Sequence, residues 1–416
     1  MVFSIKNRNT ETIIYTWLCI GIVYSLFFLT YLNSILSILL AAFWLIFSKK
    51  EFDISTRKTR LMLLFISLYA AGIAGLTYTN NIKAGIATLE TQSALLLFPV
   101  VFGTISVLTA PVLKKITDHF LIAAALASIA GLAYGSYNYF QTANLHELTG
   151  SHILLFHAIR PVTMGLFCLS AMIIAFERLN STIAYSKLLV YSFLLLMTLM
   201  IFLLGIRVII FCWLLIVFYY LLVIVRQRSY RIFFASFAVL VLVISSFAIP
   251  KVKEQWTELF DFSASSRIVL DKDSSLGRNW GGKALRVAIW KCSSDMLKNH
   301  WLTGVGTGDV QDSLQKAYEN RKFYFASMYN RYNAHNEYLQ ITLANGIPGL
   351  LILLSCIFYP LLNYRKKFSG NIYFLFLLLF AVVAITESIL EVNKGIIWYS
   401  FLNSIFAFGH LKPDQT

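Results

Sequence analysis

Charge is what this sequence has least of. Asp, Glu, Lys and Arg together make up 13% of its 416 residues, against 58% hydrophobic residues. A soluble domain carries roughly a quarter charged residues, so the composition excludes one and points to an integral membrane protein. The mean hydropathy of +0.69 agrees. Acidic residues are the scarcer sign, 20 against 35 Lys and Arg, which leaves a net charge of +15. In a soluble chain that excess would suggest nucleic acid. In a membrane chain it reads as the cytoplasmic bias of Lys and Arg, and no nucleic-acid partner is expected.

Other features are missing too. Of five cysteines, Cys19, Cys168, Cys212 and Cys356 sit in apolar runs and Cys292 stands alone in a polar segment, so no disulfide framework is expected. Lys6 and Arg8 precede an apolar run as in a signal peptide, but that run is too long and has no small-residue cleavage site, so it reads as the first span. No fixed-period repeat is present. Gly304, Gly306 and Gly308 imitate a nucleotide loop, yet no strand pattern precedes them and no GK[ST] follows. They read as a tight turn between helices, whose exposed amides could help hold an anion. His146, His152 and His157 fit no standard zinc spacing and read as structural. Asp271 and Asp273 have the spacing of a metal-binding pair, but such triplets are frequent by chance. Neither metal nor other cofactor is expected.

What is present is apolar runs. About 20 apolar residues cross a bilayer as a helix. That window places spans near 12–30, 33–48, 61–79, 84–107, 119–140, 161–176, 185–203, 207–225, 231–249, 347–363, 371–386 and 395–409. The expected fold is all-α and polytopic, with about 12 transmembrane helices and one large helical loop. Residues 1–249 would hold helices 1–9, residues 250–346 the loop, and residues 347–416 helices 10–12, in one integrated membrane domain. The two terminal segments and one set of loops hold Lys6, Arg8, Lys49, Lys50, Arg57, Lys58, Arg60, Lys114, Lys115, Arg178, Lys187, Arg226, Arg228, Arg231, Arg365 to Lys367 and Lys412. The short loops opposite hold only Lys83, Arg160 and Lys394, with Arg207 at a span edge. This asymmetry puts both termini in the cytoplasm and the 250–346 loop outside.

The chemistry gathers in the polar stretch from Arg286 to Gly349, which contains RVAIW, GVGTGD and AHNEYLQ before GIPGL. Lys283 to Leu297 has helical spacing, Asp309 is placed to cap a helix through Ala317, and Ala334 to Ala344 reads as a helix broken by Gly346 and Pro348. His335 is suited to take a proton near neutral pH, although its spacing fits a loop-capping histidine as well. Arg207, flanked by apolar residues, is costly at that depth; the alternative is snorkelling to headgroups. With Arg286 it could form planar, permanently charged forks on a phosphate. Glu90, Glu387 and Glu391 stand at outer span ends, each suited to pairing with an arginine or to holding a polar substrate. Glu337 is the nearest alternative base.

The order Arg-x-x-x-Trp, Gly-Val-Gly-x-Gly-Asp, then His-Asn-x-Tyr-Leu-Gln leading into a Gly-x-x-Gly membrane helix resembles the O-antigen ligase/polymerase family. The similarity is strongest over about residues 200–350, and FHAIRP, from Phe156 to Pro161, is a looser match. The resemblance implies a GT-C-type glycosyltransferase of the bacterial inner membrane, with its active site on the periplasmic face. Such an enzyme takes glycan from an undecaprenyl-diphosphate carrier and needs neither nucleotide nor metal. A ligase passes the glycan to a lipid A-core sugar. Carried onto this chain, Arg207 and Arg286 match the family's phosphate-binding arginines and His335 its catalytic histidine. Arg160, Arg278, Asn336, Tyr338, Glu90 and Glu387 are candidate substrate-binding side chains, and Arg278 competes with Arg286 for its assignment. Arg207 follows Gly-Ile where many members have a serine beside the arginine.

Two other readings stay open. One is an O-antigen or exopolysaccharide polymerase, or a protein O-glycosylating relative, which would use the same carrier with a growing glycan or a protein as acceptor. The other is a polytopic transporter or lipid flippase. A transporter more typically shows repeated halves with interrupted helices at mid-membrane, whereas here the polar groups cluster at one face.

Overall fold

A computed structural model describes residues 8–154, 159–180, 186–223, 282–321, 330–364 and 372–409, with isolated positions between 236 and 253 and between 323 and 327. Among the described residues the secondary structure is helical, with no strand. Among these residues seven helices are long and apolar enough to cross a membrane, and three apolar helices are shorter. The protein is a polytopic helical membrane protein. By contact the chain divides into two compact units. The first is Met1–Lys49, Ser106–Thr257 and Lys367–Leu379; the second is Lys50–Ile105, Glu258–Lys366 and Phe380–Thr416.

The first unit holds α1 (Arg8–Phe28), α2 (Thr30–Phe47), α6 (Ala110–Thr142), α7 (Pro161–Asn180), α8 (Lys187–Leu204) and α9 (Arg207–Val223). Phe27 packs edge-on against Phe120 and Phe167, tying α1 to α6 and α7. Asp118 accepts from Lys114 at 2.7 Å and Arg178 at 3.0 Å, so the basic groups at that end are partly neutralised. Gly205 ends α8 in the left-handed conformation at φ 65°, which glycine adopts without the Cβ penalty. Arg207 opens the next helix two residues later.

The second unit holds α3 (Arg57–Leu76), α4 (Ile82–Gln92), α5 (Ala94–Thr104), α10 (Gly282–His300), α11 (Val310–Asn320), α12 (Glu337–Tyr364) and α14 (Asn393–Gly409). In the chain between the last two, α13 (Ile372–Val383), assigned to the first unit up to Leu379, precedes a 3-10 turn at Ile389–Glu391 of the second. The expected fourth span, 84–107, is two helices that meet at Ser93 and together cover Ile82–Thr104. The eleventh, expected over 371–386, stops at Val383, because residues 384–391 leave the helix for a polar turn. Most of the ninth, 231–249, and with it Arg278, Asp271, Asp273, His157 and Lys366, lies outside the described residues.

Helices α10 and α11 differ from the spans in being apolar on one stripe only. Ala288, Ile289 and Cys292 of α10 pack with Val310, Leu314 and Tyr318 of α11, and Ala334 and Leu343 close the cluster. The helices expected over 283–297 and 309–317 are therefore present with slightly longer bounds. Gly346 interrupts α12 at φ 63° and ψ −160°, as its sequence with Pro348 predicts.

The glycine-rich turn is fastened through its amides. Gly304 N donates to His300 O (2.8 Å), Gly306 N to Ala344 O (3.0 Å) and Gly308 N to Thr79 Oγ1 (3.1 Å). Those three amides are thus engaged within the protein, and the expectation that they could hold an anion gives way. Asp309 stands at the N-cap of α11 but makes no capping bond. Its carboxylate accepts from Asn80 N (2.7 Å), Asn80 Nδ2 (3.0 Å) and Asn81 N (2.8 Å) instead. Burial pushes this carboxyl up, but the Asn80 and Asn81 amides outweigh burial and hold it below its ordinary value. Three donors against one explain the choice. Thr307 Oγ1 donates to Gly72 O (2.7 Å) and Asn345 Nδ2 to Ala71 O (2.7 Å), so the turn joins α3 to α12.

A Cβ at position 308 would lie 2.1 Å from the Asn81 carbonyl, which backbone cannot yield cheaply. Gly308→Ala is expected to cost about 1–3 kcal/mol, the usual range for overpacking, and to lower the thermal midpoint of the detergent-solubilised protein. An unchanged midpoint would show that the turn is not clamped there.

Candidate active site

The site grows from three short segments of the second unit. The first is α10, whose apolar stripe faces the cluster above and so fixes the direction of Arg286. Its guanidinium donates from Nε to Thr386 O (3.0 Å), from Nη1 to Gly282 O (3.4 Å) and from Nη2 to the Glu387 carboxylate. The second is the residue run before α12. Ala334 is buried, its N–H donating to Gln340 Oε1 and its carbonyl accepting from Trp290 Nε1, both at 3.0 Å. The third is the polar turn after α13.

These last two segments are stitched together residue by residue. Asn336 N donates to Ser388 Oγ (3.2 Å), Glu337 N to Ala384 O (2.8 Å) and Tyr338 OH to Ala381 O (2.8 Å). Leu390 N in turn donates to Glu337 Oε2 (2.8 Å). Asn336 Oδ1 accepts from Leu339 N at 3.0 Å, the bond of an N-cap asparagine. His335 lies inside this frame with φ 44°, a left-handed conformation unusual for a side chain of its size and costing on the order of 1–3 kcal/mol. The bonds on Ala334 and Asn336 hold it there.

His335 Nδ1 lies 3.7 Å from Glu387 Oε2. That is longer than a hydrogen bond, so the two interact as charges across a short gap when the ring is protonated. Nδ1 is buried with no hydrogen-bond partner among the described residues, while the side chain keeps 27% of its exposure. The accessible edge is therefore the Nε2 side. Glu387 has one oxygen toward Arg286 and one toward His335. Burial pushes its carboxyl up, but His335 and Arg286 outweigh burial and hold it below the ordinary carboxylate range. An ionised carboxylate behind an imidazole orients the ring and stabilises the imidazolium formed when the far nitrogen takes a proton. The arrangement can accept a proton beside a fixed positive charge.

The structure thus brings together Arg286, His335 and Glu387, with Asn336 and Tyr338 in the frame that holds them. The amide oxygen of Asn336 and the hydroxyl of Tyr338 are spent on the cap and on Ala381. Glu337 is fully buried and holds the 3-10 turn, so the alternative base has no open side. Glu90 is exposed on α4. Arg207, half-buried at the start of α9, and Arg160, exposed before Pro161 of α7, belong to the first unit. Sequence reasoning missed Thr386, Ser388 and Gln340, which act through backbone contacts that no spacing announces. The signal available was the run of polar residues interrupting apolar sequence after Val383.

A carboxyl held below its unfolded value stabilises the fold above that value and loses the contribution as pH falls through the folded one. Glu387→Gln is therefore expected to lower the thermal midpoint at pH 7. The gap to the native protein should close as pH drops below about 4, the ordinary carboxylate range. A gap constant down to pH 3 would show that Glu387 contributes no charge.

No curated protein matches the sequence. Residues 192–354 match the family model described as O-Antigen ligase, a stretch that contains Arg207, Arg286, the glycine turn, His335 and the start of α12. Members of that family are glycosyltransferase-like ligases and polymerases, which fits a proton acceptor set beside a guanidinium. Over residues 192–354 the chain is therefore similar to the O-antigen ligase family.

Proposed function

We propose that the protein is an O-antigen ligase that moves glycan from an undecaprenyl-diphosphate carrier to a lipid A-core sugar at the periplasmic face of the inner membrane. The observation that carries this reading is the Arg286–Glu387–His335 arrangement inside the second unit. His335 takes the proton of the acceptor hydroxyl as that oxygen attacks the anomeric carbon. The bond from that carbon to the carrier diphosphate breaks, its electron pair leaves with the phosphate oxygen, and the anomeric centre inverts. The imidazolium that results faces Glu387. Arg286 stabilises the charge gathering on the leaving diphosphate, and Glu387 yields part of the guanidinium to it. Arg207 is carried over from the resemblance alone as the family's second phosphate-binding arginine. Fixed guanidinium groups do the electrostatic work that a divalent cation does in other transferases, and holding both substrates lowers the entropic barrier.

Single-turnover transfer and carrier-lipid binding by purified variants test the roles. His335→Ala should slow transfer by a factor of about 100 to 10,000, the range for loss of a general base, and leave donor affinity nearly unchanged. Arg286→Ala should weaken donor binding as well, with Arg286→Lys rescuing in part, because an ammonium lacks the two-pronged contact. Near-normal turnover in His335→Ala would reduce the histidine to a loop residue.

Two further outcomes bear on the same reading. EDTA should leave transfer unchanged; loss of activity restored by Mg²⁺ would overturn the arginine-only electrostatics. A deletion strain should strand long chains on the carrier. Single repeat units there would make the protein a polymerase.

A further inference from the structure

Within the second unit, beside the frame that holds His335, lies a cavity of about 100 Å³ between α3, α4, the glycine turn, α12 and the 3-10 turn. Its polar wall carries Thr88, Gln92, Gln311, Gln340 and Glu391, and no Lys, Arg or His lines it among the described residues. A diphosphate or other anion therefore has no cation to meet there. Leu68, Leu95, Ile341 and Leu390 supply the apolar remainder. Amides and a carboxylate set against aliphatic carbon match a molecule with hydroxyls on its edge and C–H bonds on its face. That is a sugar ring.

The polar groups are held in place and only partly spent. Gln92 Nε2 donates to Leu390 O at 3.2 Å and to Glu391 Oε1 at 3.5 Å, which turns the side chain along the wall and leaves its carbonyl oxygen for a donor. Gln311 Nε2 donates to Tyr332 O, also at 3.2 Å. Burial raises the Glu391 carboxyl to about 7, with Gln340 opposing the rise, so near neutral pH the group can either accept from or donate to a hydroxyl. Gln340 also accepts from Ala334 N, the residue before His335, which puts the cavity one hydrogen bond from the histidine's loop. Size sets the limit. An apolar cavity of about 150 Å³ admits benzene, so this one admits the hydroxylated edge of one ring and no more.

We infer that this cavity is a subsite for one neutral or amino-substituted sugar residue of a glycan substrate, recognised by Gln92, Gln311 and Glu391. The inference rests on the transferase reading for its context but not for its chemistry. Both the carrier-bound glycan and the acceptor offer such a residue, and the experiment separates them.

The probes are lipid-free core oligosaccharide and carrier-free repeat-unit oligosaccharide, each titrated against the full-length protein in nanodiscs, with inorganic pyrophosphate as the anionic control. Ala84→Phe fills the cavity from α4 without removing a polar group, and Glu391→Gln keeps the shape while removing the acid. Each variant is checked for an unchanged thermal midpoint. Loss of one charge-capable hydrogen-bond partner is expected to weaken binding of one oligosaccharide about tenfold or more. The corresponding KM should rise by a similar factor while kcat stays within about twofold and pyrophosphate binding is unchanged. The oligosaccharide affected identifies the source as acceptor or donor.

If both variants bind both oligosaccharides as the native protein does, the cavity holds only structural water and the inference falls, while His335-dependent transfer still stands. If the native protein binds oligosaccharide in an Ala84→Phe-sensitive way yet transfers nothing, the subsite stands and the transferase reading falls.

Discussion

A single carboxylate holds the site together. Glu387 reaches Arg286 with one oxygen and His335 with the other, and it is the charge the two share. The guanidinium would lack a counter-charge without it, and the imidazole would face a buried space with nothing to stabilise its proton. A carboxylate between two cationic groups is worth keeping only if its own backbone is rigid. Residues 384–391 meet that demand by returning along the first turn of α12, where Ala384 O, Ser388 Oγ and Leu390 N are all engaged. The early end of α13 at Val383 is the structural consequence: the chain gives up helix to make the turn.

The membrane sets the second constraint. Inside a bilayer every backbone polar group must be satisfied within the protein, so irregular chain is tolerated only where it is packed on other protein. The glycine turn shows how closely that is met. Its glycine amides find partners at His300, Ala344 and Thr79, the Thr307 hydroxyl at Gly72, and the Asp309 carboxylate at the Asn80–Asn81 corner. Glycine is needed at Gly308 because the Asn81 carbonyl passes where a Cβ would be. The motif imitates a nucleotide loop in sequence only superficially, and in the structure it is a tight turn that works as a clamp. Its tightness keeps α10 and α11 registered on α12, and Arg286 and His335 ride on that register.

Much of the fold was legible because hydropathy is a one-dimensional signal. The bounds of α7, α8 and α9 lie within a few residues of the expected spans, and the amphipathic α10 and α11 stand out by their stripes. The break at Ser93 and the short α13 were not legible, since both arise from partners far along the chain. At the site, His335 stood out as a proton acceptor just outside a span, but its role and that of Arg286, one of many basic residues in the loop, came from the resemblance to the family. Glu387 could be picked out as an acid seeking an arginine. Which arginine, and that a histidine shares it, depended on a turn 50 residues after His335. Asn336 and Tyr338 carry the same motif as the histidine yet spend their polar atoms on backbone, so a motif's residues need not share its chemistry.

The left-handed backbone of His335 brings these constraints to one point. A histidine at φ 44° is kept only where its neighbours determine it more strongly than its own preference does. Ala334 on one side is fixed by Trp290 and Gln340, and Asn336 on the other by Ser388 and the cap of α12. The two fixed peptides leave the ring one orientation in which Nδ1 turns inward to Glu387 and the opposite edge stays open. A helical residue at this position would point its side chain back over the preceding turn and a glycine would have no ring to point. The strain is thus the means by which a base is presented at a helix start, where the N-terminal amides of α12 also favour negative charge nearby and so favour an ionised Glu387 behind the ring.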